Sequence, residues 1–169
     1  MSEPAAGVDV VIEAEEWEAA GLEALAARAC GAALQWLGRP GAEVVVLGCD
    51  DARIAALNAD FRGKPRATNV LSWPAQKAAP RDPGARPLPP EAEELGDIAI
   101  AWETCRDEAA AQGKALADHA THLLVHAVLH LAGYDHENDA DAELMEGAER
   151  AILAGLGIAD PYAEPEAIS

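Results

Sequence analysis

At 169 residues the chain has the size of one domain built around a single packed core. Half of its residues are apolar, only seven are aromatic, and its longest apolar runs are far too short to cross a bilayer. The formal net charge of −18, from 30 acidic against 12 basic residues, excludes a global basic footprint for nucleic acid, so any polyanion must be met by a local patch or through a protein partner.

The N-terminus is acidic and shows no basic, apolar leader, so no secretory signal is expected. Val8-Asp9-Val10-Val11-Ile12 is β-branched and predicts a first strand. Residues 15–37 repeat apolar side chains at helical spacing (Trp17, Ala20, Leu22, Leu25, Ala29, Ala33, Trp36, Leu37), which predicts one long helix ended by Gly38-Arg39-Pro40-Gly41. Val44-Val45-Val46-Leu47 is a buried-strand run, and Asp50 or Asp51 can cap a short helix reaching about Asn58. A basic loop, Arg62-Gly63-Lys64-Pro65-Arg66, leads into a strand over 68–73.

Residues 74–94 hold six prolines and no periodicity, predicting a long, weakly ordered loop beside the substrate groove. A strand over 96–102, helices over 103–112, 116–131 and 139–153, and a stop at Gly155 and Gly157 complete the pattern. The expected fold is α/β (α+β layered): one domain over 1–169, with a small mixed sheet packed by about five helices. Cys30, Cys49 and Cys105 form no CxxC pair, as expected of buried free thiols in a cytoplasmic protein.

The chemistry gathers at His126-Ala127-Val128-Leu129-His130-Leu131-Ala132-Gly133-Tyr134-Asp135-His136, which places three of the five histidines within eleven residues. Positions four apart face the same way on a helix, so His126 and His130 can grip one ion from successive turns. Gly133 lets the helix end in a left-handed turn, and the chain can swing back to deliver His136. Three imidazoles leave a fourth position open, the arrangement of a catalytic zinc. His122 lies on the same face and reads as a supporting or surface group; His119 carries no such argument. The spacing HxxxHxxGxxH equals the metzincin pattern with one change: Ala127 stands where those proteases need a glutamate base. Protease chemistry is therefore disfavoured, and water must be activated by another group or by the metal itself.

These residues resemble the YbeY family of bacterial endoribonucleases, also called rRNA maturation factors. The histidine block is similar to its HGxLHLxGYDH signature except at Ala127. Leu57-Asn58, Phe61-Arg62-Gly63-Lys64 and Thr68-Asn69-Val70-Leu71-Ser72-Trp73-Pro74 resemble its LNxxxRxKDxPTNVLSFP, with Pro65, Ala67 and Trp73 departing, and Leu95-Gly96-Asp97-Ile98-Ala99-Ile100 resembles its LGDIxI strand. The resemblance implies a cytoplasmic, zinc-dependent, single-strand-specific endoribonuclease acting in small-subunit (16S) rRNA maturation and ribosome quality control, in association with the small ribosomal subunit.

By the same resemblance His126, His130 and His136 hold one zinc ion, and Arg62 acts on the substrate. A guanidinium fork matches phosphate geometry and keeps its charge, so Arg62 can hold the scissile phosphate. Without the resemblance a solvated loop arginine would be the plainer reading. Lys64 and Arg66 extend the same basic patch. Asp135 reads equally as a partner orienting a ligand histidine or as a turn residue. Trp73 and Trp102 can stack a base but fit core packing better, as does Met145. Two other functions suit the same residues: a non-catalytic ribosome-assembly factor braced by metal, and a general metallohydrolase of small esters.

Overall fold

The computed structural model describes residues 7–75, 82–87, 93–136 and 138–161. Ten elements follow one another: β1 (Val8–Ile12), α1 (Glu15–Ala19), α2 (Leu22–Trp36), β2 (Glu43–Cys49), α3 (Asp51–Arg62), β3 (Val70–Pro74), β4 (Glu94–Ala101), α4 (Trp102–Gln112), α5 (Leu116–Leu131) and α6 (Asp139–Gly155). The strands form one sheet in the order β1-β2-β4-β3, with β1, β2 and β4 parallel and β3 antiparallel to β4. The expected α/β class with a small mixed sheet is the observed one.

Alternation along the strands sends side chains to opposite faces and so makes two cores. Val44, Val46, Ile98 and Ile100 meet α2, α5 and α6 on one face, in a cluster that includes Leu34, Leu124, Val128 and Leu153. On the other face Leu71, Ala99 and Ala101 pack under Ile54 of α3, with Leu57 and Trp73 at the margin. Trp17 is fully buried, and its indole N–H donates to the carbonyls of Cys49 and Ile100, both at 3.1 Å, tying α1 to the ends of β2 and β4. Its ring meets Trp102 edge-on at 5.1 Å, so Trp102 packs as expected, and Met145 is buried.

The long helix expected over 15–37 is two helices. Gly21 adopts φ +77° as the N-cap of α2, a conformation glycine reaches without strain. Trp17 and Leu22 can then both enter the core, which is why apolar spacing on either side of the break hid it. Among the described residues the helices consequently number six. A second difference is that α3 runs on to Arg62 instead of stopping near Asn58, so Arg62 sits in a helix's last turn and not in a loop. A cation there complements the helix dipole, and Gly63 at φ +68° supplies the stop. The third strand begins at Val70, whose N–H donates to the Asn69 side chain at 2.7 Å.

Much of the loop expected over 74–94 lies outside the described residues. Pro74 closes β3, Glu94 opens β4, and 82–87 is docked: the Gly84 N–H donates to Asp141 at 2.8 Å and the Arg86 guanidinium lies 4.8 Å over the Trp36 ring. At Gly96 a Cβ would collide with the Trp73 carbonyl and with Leu131, so glycine lets β3 and α5 close onto β4 together. That junction carries the site.

Candidate metal centre and cleft

Where α5 crosses β3 and the end of α3, a cleft of about 410 Å³ opens, lined by Arg62, Asn69, Ser72, His122, His126, His130 and His136, with Val70, Leu71, Leu123 and Ala127 as its apolar wall. Its richest wall is built locally. In α5 the buried residues Leu124, Val128 and Leu131 anchor one face in the core, which turns His122, His126 and His130 toward the opening. The helix then ends in a left-handed cap: Gly133 takes φ +105°, its N–H donates to the His130 carbonyl at 3.0 Å, and the Tyr134 N–H donates to the Leu129 carbonyl at 3.0 Å. The buried Tyr134 pins the reversal, and His136 returns to the cleft with its ring 5.8 Å from that of His126.

The ring nitrogens are assigned by their partners. His126 Nδ1 stands 2.8 Å from Glu149 Oε1, and Glu149 is completely buried on α6. An ionised carboxylate only accepts, so Nδ1 carries the hydrogen and Nε2 keeps its lone pair for the cleft. His130 Nδ1 lies 2.7 Å from Ser72 Oγ; when the hydroxyl accepts, Nε2 of this ring is free as well. Burial pulls the His130 pKa below its ordinary 6.5, helped by the fields of His126, Arg62 and His136 and opposed by Asp135. The neutral imidazole, the metal-binding form, is thereby favoured. His122 Nε2 sits 3.2 Å from the same Glu149 oxygen and so spends its donor there, consistent with a supporting role. His119, one turn earlier, is buried and bonded to Glu108 at 2.9 Å.

The donor set suits zinc: imidazole nitrogens whose second nitrogen is held by a carboxylate or hydroxyl form a familiar metal-site arrangement. The rings of His126 and His136 lie nearly parallel, at 29°, instead of converging. Among the described residues no three His, Cys, Asp or Glu side chains are already drawn together to hold an ion.

The opposite wall comes from α3 and β3. Arg62 donates to the Ser72 carbonyl at 2.8 Å, which fixes one arm of the guanidinium at the cleft edge. Asn58 is buried and holds the following turn from both ends: its carbonyl accepts from the Lys64 N–H at 3.2 Å and its side chain donates to the Arg66 carbonyl at 3.1 Å. Lys64 is exposed and stands outside the cleft lining, as does Arg66. No Asp or Glu lines the cleft among the described residues.

Glu149 and Ser72, which orient two of the histidines, went unread in the sequence. The signal for Glu149 was present: it shares its helix face with Met145, Ala148, Ile152 and Leu153, all buried, and a carboxylate in such a row needs a partner. Ser72 carried no comparable signal.

Comparison with known proteins follows the same lines. A sequence model described as "Endoribonuclease YbeY" matches residues 9–157. Proteins named "Endoribonuclease YbeY" from Paracoccus denitrificans and Cereibacter sphaeroides are 67% and 57% identical, covering 94% and 92% of this chain and 91% and 98% of theirs. Protein TM1509 of Thermotoga maritima, known from a solution structure, shares the fold at a TM-score of 0.54 with 20% identity, over 93% of this chain and 99% of that one.

Proposed function

The chain belongs to the endoribonuclease YbeY family, and from that membership we propose that it is a zinc-dependent, single-strand-specific endoribonuclease acting in small-subunit (16S) rRNA maturation and ribosome quality control. Family membership supports the coarser role, endonucleolytic cleavage of RNA. Behind the finer reading stands one observation: three histidines and one arginine, separated by up to 74 positions, line a single cleft with no acidic side chain among its described lining.

His126, His130 and His136 would hold the ion, which when bound supplies Lewis acidity. Glu149 keeps the His126 proton on Nδ1, and Ser72 orients His130. Arg62, with one arm tethered to β3, presents its remaining donors to a phosphate and stabilises charge that builds on it. The basic turn after it, carrying Lys64 and Arg66, lets a strongly acidic protein accept RNA at this place. The cleft residues of α5 and β3 face one another, which would set the reacting groups between the two elements. The substrate puts the protein in the cytoplasm, in association with the small ribosomal subunit.

The test is metal analysis together with cleavage of single-stranded and duplex RNA. About one zinc per chain and cleavage of the single strand are expected. Arg62→Ala should lower the rate on the order of 10²-fold or more while zinc content and folding stay intact, and Arg62→Lys should recover only part. Wild-type rates in Arg62→Ala would remove the arginine from the active site. A protein that binds zinc yet cleaves no RNA would instead be the metal-braced assembly factor.

A further inference from the structure

We propose that Phe61 and Trp73 form a stacking platform for one unpaired base of the RNA as it leaves the cleft. The proposal rests on the RNA substrate of the preceding section and adds a binding subsite to it.

Among the described residues only Val11 and Phe61 are large apolar side chains left exposed, and Phe61 is 66% exposed. It is the chain's single phenylalanine, and what sets it apart from a lone surface side chain is its aromatic partner and the apolar groove they share. The ring is not loose. It meets Trp73 edge-on at 5.6 Å between centroids, and Trp73 is half-buried, so the pair makes a braced aromatic corner. The indole N–H of Trp73 is out of water and has no acceptor, so packing alone holds that ring. Both line a groove of about 480 Å³ with Val11, Leu47 and Leu57, on the sheet face that α3 covers only in part.

Position ties this groove to the cleft. Phe61 precedes Arg62 and Trp73 follows Ser72, and Arg62 and Ser72 both line the histidine cleft while Phe61 and Trp73 line the groove. Neighbouring residues of a strand point to opposite faces, so the two surfaces lie on either side of β3 alone, which is an edge strand. A nucleotide next to the one held by Arg62 has only that edge to cross.

Charge favours RNA as the occupant. From residue 61 to 75 the sequence has no acidic residue and carries Arg62, Lys64 and Arg66, in a chain of net charge −18. The backbone of the nucleic acid can follow the exposed Lys64 and Arg66 while a base turns onto the rings. At the far side of the groove stand Glu13, paired with Arg53 at 3.3 Å, and Asp97. Those carboxylates repel phosphate, which limits the platform to one base. Stacking of this kind tolerates any base and demands an unpaired one. The platform therefore supplies a physical basis for single-strand preference.

The experiment compares wild type, Phe61→Leu and Phe61→Trp. Equilibrium binding and KM are measured with a short single-stranded RNA and with versions carrying one abasic nucleotide at successive positions. Phe61→Leu should raise Kd and KM roughly fivefold or more, and Phe61→Trp should preserve them. One abasic position should erase the difference between wild type and Phe61→Leu. Unchanged melting of both variants separates binding from folding. If Phe61→Leu binds and cleaves intact RNA as wild type does, the platform is wrong and the groove falls to an apolar protein partner. If the wild type binds RNA through Phe61 but never cleaves it, the nuclease reading fails while the platform stands.

Discussion

Two histidines of α5 pair with carboxylates from different helices, Glu108 of α4 and Glu149 of α6, and the two pairs do different work. His119 and Glu108 are 2.9 Å apart, as His126 and Glu149 are at 2.8 Å. In the first pair the imidazole is the closed member, 4% exposed, its Nδ1 buried without a partner, while Glu108 also takes the Asn69 amide at 3.0 Å. In the second pair the carboxylate is the closed member, with no exposure, and the imidazole is 28% exposed in the cleft. A histidine beside an acid is thus not yet a site. What makes one is a nitrogen left open on the side where a ligand can arrive.

Substitution should separate the pairs, most sharply at the histidines themselves. His126→Ala is expected to lose bound metal and RNA cleavage together, since two imidazoles hold zinc far less well than three, whereas His119→Ala should keep both and melt earlier. Equal metal loss in the two variants, measured by metal analysis of folded protein, would erase the distinction. A smaller effect is expected one step back from the ion. Glu149→Gln leaves shape and replaces the charged acceptor, which should weaken metal affinity about 10- to 100-fold in a chelator competition. Glu108→Gln is its control: it should leave metal affinity alone and lower stability by about 1 kcal/mol, read from chemical denaturation.

The smallest effect concerns buried groups that the cleft does not use. Cys30, Cys49 and Cys105 are buried free thiols, as expected, and burial pushes each from 9.0 to about 12, with Glu13 adding to the shift at Cys49 and Glu108 at Cys105. Raised folded values mean that the unfolded chain releases these protons first as pH rises. Stability carried by the thiols is present below pH 9.0 and is lost progressively toward about pH 12. Denaturation midpoints that hold steady over that range would contradict it, as would rapid maleimide labelling of the native protein near neutral pH.

What the sequence determined by itself was local. The spacing of His126 and His130 and the glycine at 133 are consequences of helix geometry, and the helix, its left-handed cap and the return of His136 to the cleft follow them. Strands rich in valine and isoleucine were legible for the same reason, because period and β-branching act over a few residues. The break at Gly21 was not legible, since the apolar spacing runs through it and only the packing of Trp17 and Leu22 required the turn.

Tertiary structure alone decided the partners. Glu149 reaches His126 across 23 positions and Ser72 reaches His130 across 58, and no periodicity connects them. The acid is tolerated in a buried helix face only because α6 docks against α5 and gives it two histidines to accept from. Likewise Arg62 becomes part of the cleft, while Lys64, two residues on, does not: α3 continues to Arg62, and the turn held by Asn58 carries Lys64 away from the opening. Which side chains a helix presents is written in its own repeat, but which side chains meet them depends on how separate elements pack.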